Sequence, residues 1–234
     1  MDALIGSLEA LIAKKRAIKQ AAMQQLLTGR TRLPGFSGEW RTRRLERVAV
    51  ITMGQSPPSA SYNVIGDGLP LIQGKADIVG RSTVHRTWTS EPTKFCAAGD
   101  IVLTVRAPVG AVATASGDAC LGRGVCGLKP LSDTWFLYYA LSLVESKWED
   151  VGQGSTFSAA DSSQVAAFRI AIPNDRSEQH AIAAVLTDMD AEIDALERRL
   201  DKTRAVKQGM MQQLLTGSIR LPIPDAVAEN GSGR

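Results

Sequence analysis

Lys19-Gln20-Ala21-Ala22-Met23-Gln24-Gln25-Leu26-Leu27-Thr28-Gly29 returns near the other end of the chain as Lys207-Gln208-Gly209-Met210-Met211-Gln212-Gln213-Leu214-Leu215-Thr216-Gly217. The same offset, 188 residues, carries Met1-Asp2-Ala3 onto Met189-Asp190-Ala191 and Arg32-Leu33-Pro34 onto Arg220-Leu221-Pro222, so 21 of the 34 positions from Met1 to Pro34 are identical. Shared helical composition does not produce that agreement; the chain is organised by an internal repeat.

Each copy predicts a long helix with one apolar stripe. Ile5, Leu8, Ile12 and Lys15 follow 3-4 spacing in the first copy, and Leu186, Met189, Ile193, Leu196, Leu200 and Thr203 continue it in the second. Ser177, just ahead of Glu178, predicts the cap of the second helix, while Gly29 and Gly217 stand where each helix should stop. At 1.5 Å per residue the two would reach roughly 40 Å and nearly 60 Å, more than a compact domain needs. A narrow stripe kept over so many turns suits a helix partner, so Ile5, Leu8, Ile12, Leu186, Met189, Ile193, Leu196 and Leu200 are expected to pair helices.

Between the copies the composition changes to Gly, Ser, Thr and Val with short apolar runs: 48–51, 69–72, 101–105 and 168–172. These read as strands between turns. One helix is predicted from about Asp133 to Asp150, with Trp135, Tyr138, Leu141, Val144 or Glu145, and Trp148 on one side. The expected fold is α+β, a mixed α/β domain carried on two long helices. The predicted boundaries are a first helix over 1–29, a linker over 30–40, the central domain over 41–176, a second helix over 177–217 and a disordered tail over 218–234.

Net charge is only +3 over 234 residues, so total charge does not single out a nucleic-acid binder. Its distribution says more. From Lys14 to Arg47, Lys14, Lys15, Arg16, Lys19, Arg30, Arg32, Arg41, Arg43, Arg44 and Arg47 face only Glu39 and Glu46, an excess suited to phosphates. Cys96, Cys120 and Cys126 are odd in number and lack metal-ligand spacing, so reduced thiols and no metal are expected. No apolar run reaches membrane-spanning length and Met1-Asp2-Ala3-Leu4 lacks a basic leader, which points to a cytoplasmic protein without a membrane partner.

Two patterns imitate catalytic motifs. Gly122-Arg123-Gly124-Val125-Cys126-Gly127 fits a nucleotide-binding spacing, yet it runs into Leu128-Lys129-Pro130, which cannot open a helix, and reads as a strand or turn. Asp133, Glu145 and Lys147 resemble a nuclease set but fall on one predicted helix, where a solvated face is the simpler reading. With no phosphate loop and no methyl-transfer motif, the chain is expected to be non-catalytic and to need no cofactor.

What remains suits binding. Gly54-Gln55-Ser56-Pro57 and Gly152-Gln153-Gly154-Ser155-Thr156 are loops whose backbone can approach a ligand. The residues expected to face DNA are Gln55, Ser56, Gln73, Lys75, Arg81, Arg86, Arg106, Arg123, Gln153, Ser155 and Thr156.

Ser177-Glu178-Gln179-His180-Ala181-Ile182-Ala183-Ala184-Val185-Leu186, followed by Asp190, Ile193, Leu196 and the 207–217 motif, resembles the spacer helix of type I restriction-modification specificity subunits. More loosely, Gly54-Gln55-Ser56-Pro57, the stretch 99–106, Gly154-Ser155-Thr156 and Phe168-Arg169-Ile170-Ala171-Ile172-Pro173 are similar to that family's target-recognition domain. Such subunits usually carry two recognition domains, and this chain has one between two helices, so it looks like a half-size form. The resemblance implies antiparallel coiled-coil pairing of the helices, binding of double-stranded DNA, docking of methyltransferase subunits that modify adenine and, through them, motor-nuclease subunits. A single domain and an exposed seam predict a homodimer, and a two-fold axis predicts an interrupted palindrome as target. Three other readings stand beside it: a stand-alone dimeric DNA-binding regulator, a nuclease built on Asp133, Glu145 and Lys147, and an interaction protein that never meets DNA.

Overall fold

The computed structural model describes residues 1–148 and 159–216. The chain divides into two compact units, Met1–Ala17 with the chain from Asp190 onward, and Ile18–Met189.

The first unit is a helix pair. It takes the start of α1 (Asp2–Leu26) and the later part of α4 (Arg176–Leu215). Leu8, Ile12 and Leu200 are buried together with Ile5 and Leu196 packed against them. Ion pairs fix the direction: Asp2 meets Lys207, Glu9 meets Arg204 at 2.5 Å and Arg16 meets Glu197 at 2.6 Å. Rising numbers on α1 meet falling numbers on α4, so the two run antiparallel. Lys15, which continues the apolar spacing by position, pairs with Glu192 at 2.6 Å. The seam is therefore filled inside the chain, which removes the exposed seam as a reason for dimerisation.

Leu186 and Met189 lie in the second unit. Leu186 is fully buried in the main core of the second unit beside Met23, Leu26, Leu27 and Ile182, and Met189 packs against that same core. The α4 helix also starts one residue earlier than its expected cap: the Asp175 carboxylate accepts the Ser177 N–H at 2.8 Å, so Ser177 lies inside the first turn and Asp175 caps it. At the end of α1, Gly29 adopts φ +70 and its N–H reaches the Leu26 carbonyl, the stop expected of a left-handed glycine.

Among the described residues the second unit contains three sheets. A six-stranded sheet runs β2 (Ala49–Met53), β12 (Val125–Pro130), β9 (Ile101–Thr104), β10 (Val112–Thr114), β6 (Ser82–Thr83), β5 (Ile78–Val79). A five-stranded sheet runs β3 (Tyr62–Asn63), β7 (Trp88–Thr89), β4 (Leu69–Ile72), β11 (Ala119–Leu121), β8 (Phe95–Cys96). Strands β1 (Trp40–Arg44) and β13 (Arg169–Pro173) form an antiparallel ribbon of their own. Alternation along β9 shows why the layers hold: Ile101 and Leu103 enter the main core, while Val102 joins a second cluster with Ile72, Cys96, Ala119 and Leu121 from the five-stranded sheet. The strand is buried on both faces, as its unbroken apolar run requires.

Helix α2 (Thr134–Leu143) is shorter than its apolar pattern predicts, and Trp135 is exposed while Phe136 to Leu141 are all buried. The Asp133 side chain accepts the Phe136 N–H at 2.8 Å and caps it. At the far end the Glu145 carboxylate is drawn out of the helical pattern by the Val112 N–H, 2.7 Å away, and by the Arg81 guanidinium. Helix α3 (Ser162–Ala167) opens on a reciprocal cap between Asp161 and Gln164.

Candidate nucleic-acid interface

Four loops meet where the two larger sheets adjoin, and their backbones are stitched together. The Gly54 N–H donates to the Val125 carbonyl (3.0 Å), the Gln55 N–H to Leu121 (2.8 Å), the Gly122 N–H to Ile72 (2.8 Å) and the Val105 N–H to Gly124 (2.9 Å). Only glycine allows this approach. A Cβ on Gly124 would lie 2.0 Å from the Gln73 carbonyl oxygen, and one on Gly54 would lie 2.1 Å from that of Gly122. The Gly-x-Gly-x-x-Gly stretch is thus the turn from β11 into β12 and the start of β12 itself: Gly122 and Gly124 serve loop packing, and Gly127 lies within the strand.

From this junction Gln55, Gln73, Lys75, Arg106 and Arg123 extend into solvent, with Ser56 half-buried among them. The Ser56 hydroxyl accepts the Arg123 N–H at 3.5 Å, and the Thr93 hydroxyl donates to the Gln55 carbonyl at 2.5 Å. Lys75, Arg106 and Arg123 have no carboxylate within ion-pair distance among the described residues. Two amides and three uncompensated cations on a rigid backbone frame can donate to phosphates and read base edges.

Arg81 and Arg86 are placed differently. Arg81 reaches the Val112 carbonyl and the Glu145 carboxylate, whose hydrogen bond raises the already high pKa of the guanidinium. It sits at φ +69 in the turn after β5, so its side chain serves as a clasp between elements. Arg86 donates twice to Asp77 at 3.1 Å, and the same buried carboxylate accepts the Gln73 N–H at 2.8 Å. Arg86 thereby supports the loop that presents Gln73. Gln153, Ser155 and Thr156 lie outside the described residues.

Sequence reasoning missed Asp77 and Thr93, which hold the loops rather than line them. An Asp closing the short stretch Gly74-Lys75-Ala76-Asp77 is the signal the sequence offers, since Asp side chains commonly hydrogen-bond the backbone of such turns. The nuclease-like set is dispersed: Asp133 caps α2 and meets His180 at 2.9 Å, while Glu145 accepts from Val112. Of the ten cations between Lys14 and Arg47, Arg32 forms a bidentate pair with the fully buried Glu178, and Lys19 lies 5.1 Å from the Tyr139 ring centre.

Residues 37–203 match the family model described as the type I restriction modification DNA specificity domain. A putative type I restriction enzyme MjaX specificity subunit from Methanocaldococcus jannaschii is 33% identical over 94% of this chain and 55% of its own length. The crystal structure of an HsdS subunit from Thermoanaerobacter tengcongensis is similar at 29% identity with a TM-score of 0.66, over 91% of this chain and 55% of that one. A type I restriction-modification S subunit from M. genitalium shares the fold at 13% identity, with a TM-score of 0.68 over 91% of this chain and 57% of its own. The chain spans about half the length of these relatives. A motif repeated at both ends, a mixed α/β domain between the copies and a family match over most of the sequence converge: the chain belongs to the type I restriction-modification DNA specificity family.

Proposed function

We propose that this chain supplies sequence recognition to a type I restriction-modification complex. The junction of Gln55, Gln73, Lys75, Arg106 and Arg123 is set against double-stranded DNA, and the chain itself is non-catalytic. Methyltransferase subunits docked on the helices modify adenine at the chosen site, and motor-nuclease subunits join through them. The carrying observation is the glycine-stitched junction, whose loops carry amide and cationic side chains on a frame of backbone hydrogen bonds. Three free, buried cysteines accord with work in the reducing cytoplasm.

We place a second copy of the chain at the end of α4. Val206, Met210, Met211 and Leu215 are 46%, 50%, 50% and 82% exposed there, an apolar surface with the composition of an interface core. Two such ends packed on a two-fold axis bury each other and place two identical recognition domains in opposite orientation. The target is then an interrupted palindrome.

Mapping methylated adenines in a genome exposed to this chain with its methyltransferase tests the whole reading. The expected motif is bipartite, palindromic and of fixed gap. An asymmetric motif would refute the dimer, and the absence of any motif, with an active methyltransferase present, would refute the recognition role.

A further inference from the structure

The β1–β13 ribbon carries more positive charge than the fold uses. Arg41, Arg43, Arg44 and Arg169 are exposed on it, and Arg47 is exposed in the turn that follows. Arg41 lies 3.2 Å from Glu39 and Arg44 lies 3.5 Å from Glu46. Arg43, Arg47 and Arg169 have no carboxylate within ion-pair distance among the described residues. The register sets Arg44 directly opposite Arg169. Like charges opposite one another on a strand pair are destabilising. Glu46 offsets that repulsion for Arg44 alone, whereas a polyanion would offset it for both.

We infer that this ribbon is a second, sequence-independent contact for DNA phosphates, apart from the loop junction; the inference rests on the reading of the chain as a DNA binder. Side chains alternate between the faces of a ribbon and directly opposed residues share one, so Arg44 and Arg169 stand side by side on the solvent face, about 4.5–5.5 Å apart. Phosphates along one DNA strand recur every 3.4 Å of axis or so, within reach of such a pair. The planar guanidinium binds such oxygens in pairs. A protein partner fits less well, because protein interfaces centre on aromatic and apolar anchors. The ribbon's solvent face offers Thr42, Arg44, Arg169 and Ala171, with no such anchor. The same face has no amide side chain to read a base, so it adds affinity and orientation without sequence choice.

The test replaces Arg44 and Arg169 by Gln in the full chain and follows binding to a labelled 40-base-pair duplex of random sequence by anisotropy over a salt series. Two lost phosphate contacts lower the slope of log affinity against log salt by about 1.8. Raising salt from 50 to 200 mM then costs the wild-type chain about 12-fold more affinity than the variant. Unchanged tryptophan fluorescence and melting temperature establish that the variant folds. An unaltered slope overturns the inference, and so does an unaltered slope with loss of methyltransferase co-purification, which would assign the ribbon to an acidic protein surface. The readout does not depend on sequence preference. A slope change without any preference in the wild-type chain would uphold the ribbon and sink the recognition reading.

Discussion

The Arg32–Glu178 pair is expected to respond unequally to loss of its two members. The Glu178 side chain is fully buried, while Arg32 remains 26% exposed, with contacts at 2.5 and 2.7 Å. Replacing Arg32 by Met keeps the stem near Trp40, whose ring centre lies 6.0 Å from the guanidinium. It leaves a buried carboxylate with only the Trp40 indole N–H at 3.4 Å. An uncompensated buried charge costs about 3–5 kcal/mol. Replacing Glu178 by Met leaves a cation that can turn toward water, so the loss should be about 1–3 kcal/mol, that of charge-assisted hydrogen bonds. The double replacement removes both charges and should be more stable than Arg32→Met alone by at least about 1 kcal/mol. Urea unfolding followed by tryptophan fluorescence reads this directly, because Trp40, Trp88, Trp135 and Trp148 all lie in the Ile18–Met189 unit. A double variant no more stable than Arg32→Met, or equal losses from the two single variants, would show that Glu178 is not left as an uncompensated buried charge.

The repeat supplies a paired comparison: Leu27→Ala should cost about 2–5 kcal/mol because Leu27 is 3% exposed, whereas Leu215→Ala, at 82% exposed, should change stability by less than about 0.5 kcal/mol in urea titrations of dilute protein. Gly124→Ala should abolish soluble expression or lower the melting temperature sharply, and Gly74→Ala should not, since a Cβ on Gly74 meets nothing within 4 Å. Burial pushes the Cys126 thiol up to about 12 and the Cys96 thiol to about 11, so neither should react with a thiol reagent at pH 8 until the chain is unfolded. Because those folded values lie above the ordinary 9, the unfolded chain releases its protons first. Stability present below pH 9 should therefore fall as pH rises toward 11 and 12, and a rising urea midpoint over that range would contradict the burial.

Long elements were legible in the sequence and short ones were not. The helix pair follows from a stripe sustained over many turns, and β9 from an unbroken apolar run. Strands β3, β5, β6, β7 and β8 have two residues each, too few for any period to show. The far end of α2 was misjudged because its apolar spacing continues to Trp148, which stacks on Phe168 with ring centres 3.8 Å apart. What ends the helix is Glu145 answering Arg81, a partner 64 residues away. The loop junction is partly legible because its glycines mark close backbone approach. The carboxylate partners of Arg81 and Arg86 are not, because charge in the sequence does not reveal a partner brought near only by the fold.

Identical sequence in two environments separates what a helix needs from what its surroundings need. Both copies end alike: the Thr28 hydroxyl donates to the Gln24 carbonyl at 2.6 Å and the Thr216 hydroxyl to Gln212 at 2.8 Å. The helix itself asks only for residues of good propensity, and Lys, Glu or Gln would meet that demand at positions 211, 214 and 215 as well as Met and Leu do. In the first copy Met23, Leu26 and Leu27 are 6%, 7% and 3% exposed because the central domain covers them. Their counterparts Met211, Leu214 and Leu215 keep the same identities at 50%, 38% and 82% exposed among the described residues. Apolar surface left exposed to that degree invites nonspecific association. It becomes useful once a second body covers the end of α4, and for that reason the proposed dimer contact is placed at this end and not along the seam, which α1 already fills.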